Sequence, residues 1–134
     1  MDGGVVANNP SLCAYAEVRN WEKKQAELNP GQQPMRISVL RVGTGRLPKY
    51  LRQEFDAWGI LKWGKPILEI LTSAASGLAH YQCKELLDDR YFSIDPVRPR
   101  NIALDDVDAI PELVPQPGDI DAAALAQFMA ASWD

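Results

Sequence analysis

Cysteine and histidine are scarce in this chain, with two of the first and one of the second in 134 residues. Two isolated cysteines, Cys13 and Cys83, are too few for a disulfide framework or a thiolate metal site. Each falls in a helical pattern, where a buried free thiol is the expected role. A lone histidine, His80, sits inside a long helical pattern and reads as structural or surface rather than as part of a triad. Positive charge is also short, with 14 lysines and arginines against 18 acidic residues and a net charge of −4. The densest basic groups, Lys23-Lys24 and Arg98-Pro99-Arg100, are small and scattered, which argues against a nucleic-acid partner. No run approaches the ~18 apolar residues of a membrane span, and no charged-then-apolar leader opens the chain. A cytoplasmic location is therefore expected. Asp105, Asp106 and Asp108 lack the alternating ligands and glycine of a calcium loop. Gly43-Thr44-Gly45 lacks the lysine and loop length of a Walker motif and reads as a strand-end turn. Neither a metal nor a cofactor is expected.

A hydrophobic content of 46% with 24% charged residues is that of a globular protein. Ser11 to Gln25 carries a moderately amphipathic helical stripe, closed by a loop, Asn29-Pro30-Gly31-Gln32-Gln33-Pro34. In Arg36–Val42, apolar Ile37, Val39, Leu40 and Val42 occupy both faces of a short strand, as in a parallel sheet covered by helices on both sides. Tyr50 to Trp58 reads as a short helix anchored by Phe55 and Trp58, and Gly59 and Gly64 bracket a turn. Aromatics so close together fit a core, although a lipid-facing patch uses the same residues. Pro66 to Leu87 is a long helix, with Gly77 allowing close packing on a neighbour. Asp88-Asp89 ends it, and Tyr91-Phe92-Ser93-Ile94 forms a second strand stopped by Pro96. A loop-rich acidic stretch follows, then a final helix from Ile120 to Ala131, capped by Asp119 and packing through Leu125, Phe128 and Met129.

The string Asp2-Gly3-Gly4-Val5-Val6-Ala7-Asn8-Asn9-Pro10 is the most specific in the chain. Two glycines hold a carboxylate on a turn that side chains would crowd, while Asn and Pro start the helix behind it. A carboxylate fixed in that way suits a general base.

This string resembles the aspartate motif of the patatin-like phospholipases, lipid acyl hydrolases that use a Ser–Asp dyad. The resemblance extends through Arg36-Ile37-Ser38-Val39-Leu40-Arg41-Val42-Gly43-Thr44-Gly45, similar to the family's strand and Gly-Thr-Gly turn. It continues in Trp63-Gly64-Lys65-Pro66, in the helix ending at His80-Tyr81, in Arg90-Tyr91-Phe92-Ser93-Ile94-Asp95, and in the acidic tail Asn101-Ile102-Ala103-Leu104-Asp105-Asp106. The resemblance implies an α/β chain, the C-terminal part of a patatin-like three-layer fold with few strands and flanking helices, incomplete on its own. Residues 1–106 carry it, and 107–134 add an acidic, proline-rich segment and the last helix. It implies Asp2 as the proton acceptor, with Gly3, Gly4, Asn8, Asn9 and Pro10 supporting the motif. The family's Gly-x-Ser-x-Gly nucleophile elbow and glycine-rich oxyanion loop are absent from these 134 residues. Ser73 and Ser76 lie in a helical pattern without the flanking glycines of that elbow. A base without a nucleophile or an oxyanion hole cannot run acyl transfer at useful rates.

The partners implied are an acyl lipid, met at a membrane surface without a span, and a protein segment supplying the serine. A non-catalytic remnant acting as a binding or regulatory module is the alternative. With two strands in hand, the sheet would leave backbone groups and an apolar face uncovered, so the isolated chain is expected to be marginal or to associate.

Overall fold

The computed structural model describes residues 3–46, 60–98, 100, 102, 105–114 and 118–133, as backbone alone at 5, 60–66, 68 and 69. Asp2, the expected Tyr50–Trp58 helix with Phe55 and Trp58, and residues 101, 103 and 104 of the acidic tail motif lie outside the described residues. The structure is mixed α/β with a small parallel two-stranded sheet, as expected for an incomplete α/β fold. Two units are present, Met1–Val39 with Glu54–Tyr91, and Leu40–Gln53 with Phe92–Asp134.

The first unit holds one helical turn, α1 (Gly3–Val6), and two long helices, α2 (Ser11–Leu28) and α3 (Ile60–Leu87). The amide of Ala7 closes α1 on the Gly3 carbonyl at 2.8 Å. Beyond the expected end at Gln25, α2 continues to Leu28 and stops at Asn29. There the backbone N–H (2.9 Å) and the side-chain amide (3.3 Å) both donate to the Gln25 carbonyl. The expected turn at Gly59–Gly64 is corrected, because α3 already includes residues 60–64. A glycine and a proline inside a helix cost about 1 and 3 kcal/mol, and a helix of 28 residues offsets that through its other turns. At the far end Asp88 takes a left-handed backbone, φ 49°, the usual conformation just past a helix C-terminus.

The core of this unit is small. Cys83, Leu87 and Tyr91 are buried, and Leu12, Tyr15 and Val39 pack against them. Cys83 and Leu87 lie four residues apart, so one stripe of α3 faces α2. Cys13 differs from expectation in being exposed, since it lies about 100° around α2 from the inward-facing Leu12. Nor does Gly77 serve close packing, as a Cβ placed there would meet nothing within 4 Å.

In the second unit, Leu40–Val42 and Phe92–Ile94 supply most of strands β1 (Val39–Val42) and β2 (Tyr91–Ile94). The ladder begins at Val39 rather than at Arg36, because the chain before β2, Asp88–Arg90, is wound into a 3-10 turn. The expected loop from 99 to 118 contains a 3-10 turn, Val107–Ala109, and a short helix, α4 (Ile110–Leu113). The last helix, α5 (Ala122–Ser132), is capped by Asp121 instead of Asp119. The Asp121 carboxylate accepts the Ala124 amide at 2.9 Å, the three-residue reach of an N-cap. Phe128 is buried and stacks on Phe92 with centroids 5.5 Å apart, whereas Met129 is exposed.

Burial is slight elsewhere. Only five hydrophobic residues are buried among the described ones. Leu40 and Val42 of β1 stand exposed, Val42 at 70%, so the two-sided cover expected from the strand pattern is missing there. No helix among the described residues is long and apolar enough to cross a membrane.

Two outcomes follow for the isolated chain. Its thermal unfolding should be broad and accompanied by dye binding to apolar surface, and a sharp, reversible monomeric transition would contradict this. Ellman's reagent should modify Cys13 at once and Cys83 only after denaturation, because burial pushes the Cys83 thiol pKa up, with Cys13 adding to the shift.

Candidate functional site

The Asp-Gly-Gly string leads from α1 into the start of α2, and the described part of it centres on Asn9. Gly3 and Gly4 form the exposed helical turn, Asn8 is exposed, and Asn9 is buried to 4% exposure. A buried amide side chain must satisfy both of its ends. The Asn9 Oδ1 accepts the Ser11 amide at 3.2 Å, and its Nδ2 donates to the Ser76 carbonyl on α3 at 3.1 Å. Pro10 is the N-cap residue of α2, φ −80° and ψ 2°, and its carbonyl accepts the Ala14 amide at 2.9 Å. Asn9 therefore starts α2 from one residue before the proline and ties that start to the middle of α3. Asp2 stands seven positions earlier, outside the described residues.

The other candidates separate cleanly. Ser73 is exposed on α3, and Ser76 enters the site through its backbone carbonyl. His80 places Nδ1 3.1 Å from the Tyr91 hydroxyl, with ring centroids 5.4 Å apart, beside the small core. Such a contact orients Tyr91 and fits a structural histidine. Among the described residues no group of His, Cys, Asp and Glu could hold a metal. In the acidic tail, Asp106 lies 3.6 Å from Arg100, and Glu112 takes two hydrogen bonds from the same guanidinium at 2.9 and 2.6 Å. Those bonds, aided by the Arg100 charge, hold the exposed Glu112 carboxyl below its usual pKa.

In the second unit the expected strand-end turn, Gly43-Thr44-Gly45, lies beyond the sheet, held by side chains that sequence reading did not foresee. Arg41 donates to Ser93 Oγ and to the Asp95 carboxylate, both at 3.0 Å. The other Asp95 oxygen accepts the Gly45 amide at 3.1 Å. A Cβ on Gly43 would overlap the Asp95 carboxylate, and Gly45, at φ +96°, would drive one into the Arg98 side chain. Arg98 itself donates to the Thr44 carbonyl. Glycine is thus required twice in Gly43-Thr44-Gly45, once for space and once for conformation. The signal that could have pointed to the carboxylate holding this turn was Asp95 directly after a strand and directly before a proline.

With this geometry in view, the chain can be compared with known proteins. It is 32% identical to patatin-like protein 1 of Arabidopsis thaliana across 71% of this chain and 27% of that protein. Patatin-like protein 3 of the same plant is 33% identical across 61% of this chain and 22% of its own length. The putative sporulation hydrolase CotR of Bacillus subtilis is 28% identical across 99% of this chain and 47% of that protein. No family model matches the chain. Nor does any solved structure match it. The chain belongs to the patatin-like family. It spans about half or less of the length of the curated relatives it matches.

Replacing Asn9 tests the link between α2 and α3. Asn9→Ala removes both hydrogen bonds and should raise amide exchange in the first turn of α2 by about tenfold or more. Asn9→Asp keeps the acceptor and loses the donor to Ser76, so a smaller increase is expected.

Proposed function

We propose that this chain supplies the aspartate of a serine–aspartate acyl hydrolase that cleaves ester bonds of acyl lipids. Asp2 is the proton acceptor, and the serine and oxyanion hole come from a polypeptide segment outside these 134 residues. As the serine Oγ attacks the lipid carbonyl, its proton passes to the Asp2 carboxylate, and the oxyanion hole holds the charge that develops. Collapse of the tetrahedral intermediate gives an acyl-serine and releases the alcohol, which leaves with that proton. Water then attacks the acyl-serine, again through Asp2, and frees the fatty acid. Gly3 and Gly4 let the backbone approach the serine without a side chain between.

The feature that carries this reading is the Asp-Gly-Gly sequence string, and the same stretch of chain runs on to a helix start that Asn9 pins to α3. Membership of the patatin-like family supports it, as does the word hydrolase in the name of the Bacillus subtilis relative. The missing Gly-x-Ser-x-Gly favours the second reading, a non-catalytic binding or regulatory module.

Hydrolysis of a short-chain p-nitrophenyl ester separates the two. The isolated chain should be inactive. Mixed with the half of the Bacillus subtilis relative that it does not match, it should hydrolyse the ester, and Asp2→Ala should lower that rate by about 10²–10⁴. Activity undiminished by Asp2→Ala removes Asp2 from the mechanism, and no activity in the mixture leaves the binding-module reading.

A further inference from the structure

Helix α3 is apolar on two opposite sides, and α2 occupies one of them. At 100° per residue, Ser76, Cys83 and Leu87 lie on the side that meets Asn9 and the small core. On the reverse side, Ile67, Leu71, Ala74, Leu78 and Tyr81 fall within an arc of about 80°. Every position from 67 to 81 inside that arc is apolar, and Glu85, in line with Ile67, ends the stripe one turn further on. Leu71, Leu78 and Tyr81 are 61%, 57% and 60% exposed, and Gly77 beside them has open space where a Cβ would stand. A helix that is apolar on both sides belongs between two layers.

We propose that this outer stripe of α3 is the seat for the remaining half of a patatin-like chain, which packs an apolar face against it. The proposal rests on the reading of the chain as part of a patatin-like enzyme, and it names the surface through which completion occurs. Three observations choose this occupant. The Bacillus subtilis relative is matched by 99% of this chain, which covers 47% of it, so as much polypeptide again goes with this sequence there. In the second unit, Leu40 and Val42 of β1 are exposed as well, a deficit that one helix stripe paired with its own copy would not repair. The stripe contains no lysine or arginine to draw it to an anionic lipid surface.

The test is binding of the complete chain to the unmatched half of the Bacillus subtilis relative, read by calorimetry in parallel with ester hydrolysis. Leu71→Glu with Leu78→Glu puts two charges on the stripe while keeping good helix formers on exposed positions. Leu86→Glu is the control, an exposed apolar residue away from the stripe. Expected are binding by the native chain, at least about tenfold weaker binding by the double variant, and little change in the control. Circular dichroism verifies that α3 persists in each. Equal loss in the control, undiminished binding by the double variant, or no binding at all overturns the proposal. So does a stripe-dependent dimer, or capture by phosphatidylcholine vesicles, in place of that binding. Stripe-dependent binding without hydrolysis keeps the docking surface and refutes the hydrolase reading alone.

Discussion

The packing of α3 on α2 is the contact on which the first unit depends. Its apolar part is small, built by Cys83, Leu87 and Tyr91 with Leu12, Tyr15 and Val39 around them. Its polar part is Asn9, which joins the first turn of α2 to the Ser76 carbonyl. A buried hydrogen-bonded amide adds about 1 kcal/mol net but is costly to leave unpaired. Asn9 therefore specifies where the two helices meet more than it stabilises them, while the apolar stripe supplies the attraction. Gly3 and Gly4 belong to the helical turn α1, ahead of this junction in the chain.

The second unit relies on a different device. Its sheet has two short strands, and Arg41 and Asp95 lie at their carboxyl ends, only 15% and 21% exposed. An ion pair so placed is worth more than a surface one, because it is partly shielded and further tied by Ser93 and the Gly45 amide. The two glycines are part of the same arrangement, since side chains there would displace the carboxylate and the Arg98 stem. By contrast, Arg100 with Glu112 and Asp106 is solvated and contributes little beyond local order.

Both units leave apolar surface in water, one of them on the strand whose pattern had called for cover on both sides. Val42 and Leu40 stand clear on β1, as do Leu71 and Leu78 on α3. The family relation gives that pattern a physical sense, because the relatives are at least twice the length they share with this chain.

The local code was legible without coordinates. Periodicity placed α2, the body of α3 and β2, and the Asn-Asn-Pro string announced a helix start, because capping and hydrophobic spacing act over a few residues. The same short-range logic misplaced the cap of α5 by two residues and broke α3 at Gly64-Lys65-Pro66. There, summed helix propensity outweighed single breakers. The family resemblance was likewise carried by contiguous strings. Only the tertiary structure decided that Asn9 binds Ser76, 67 residues away, and that Asp95 grips a glycine 50 residues earlier. It also decided that Cys83 is buried while Cys13 is not. Such outcomes depend on which faces of two elements meet, and no local pattern specifies the partner across that distance.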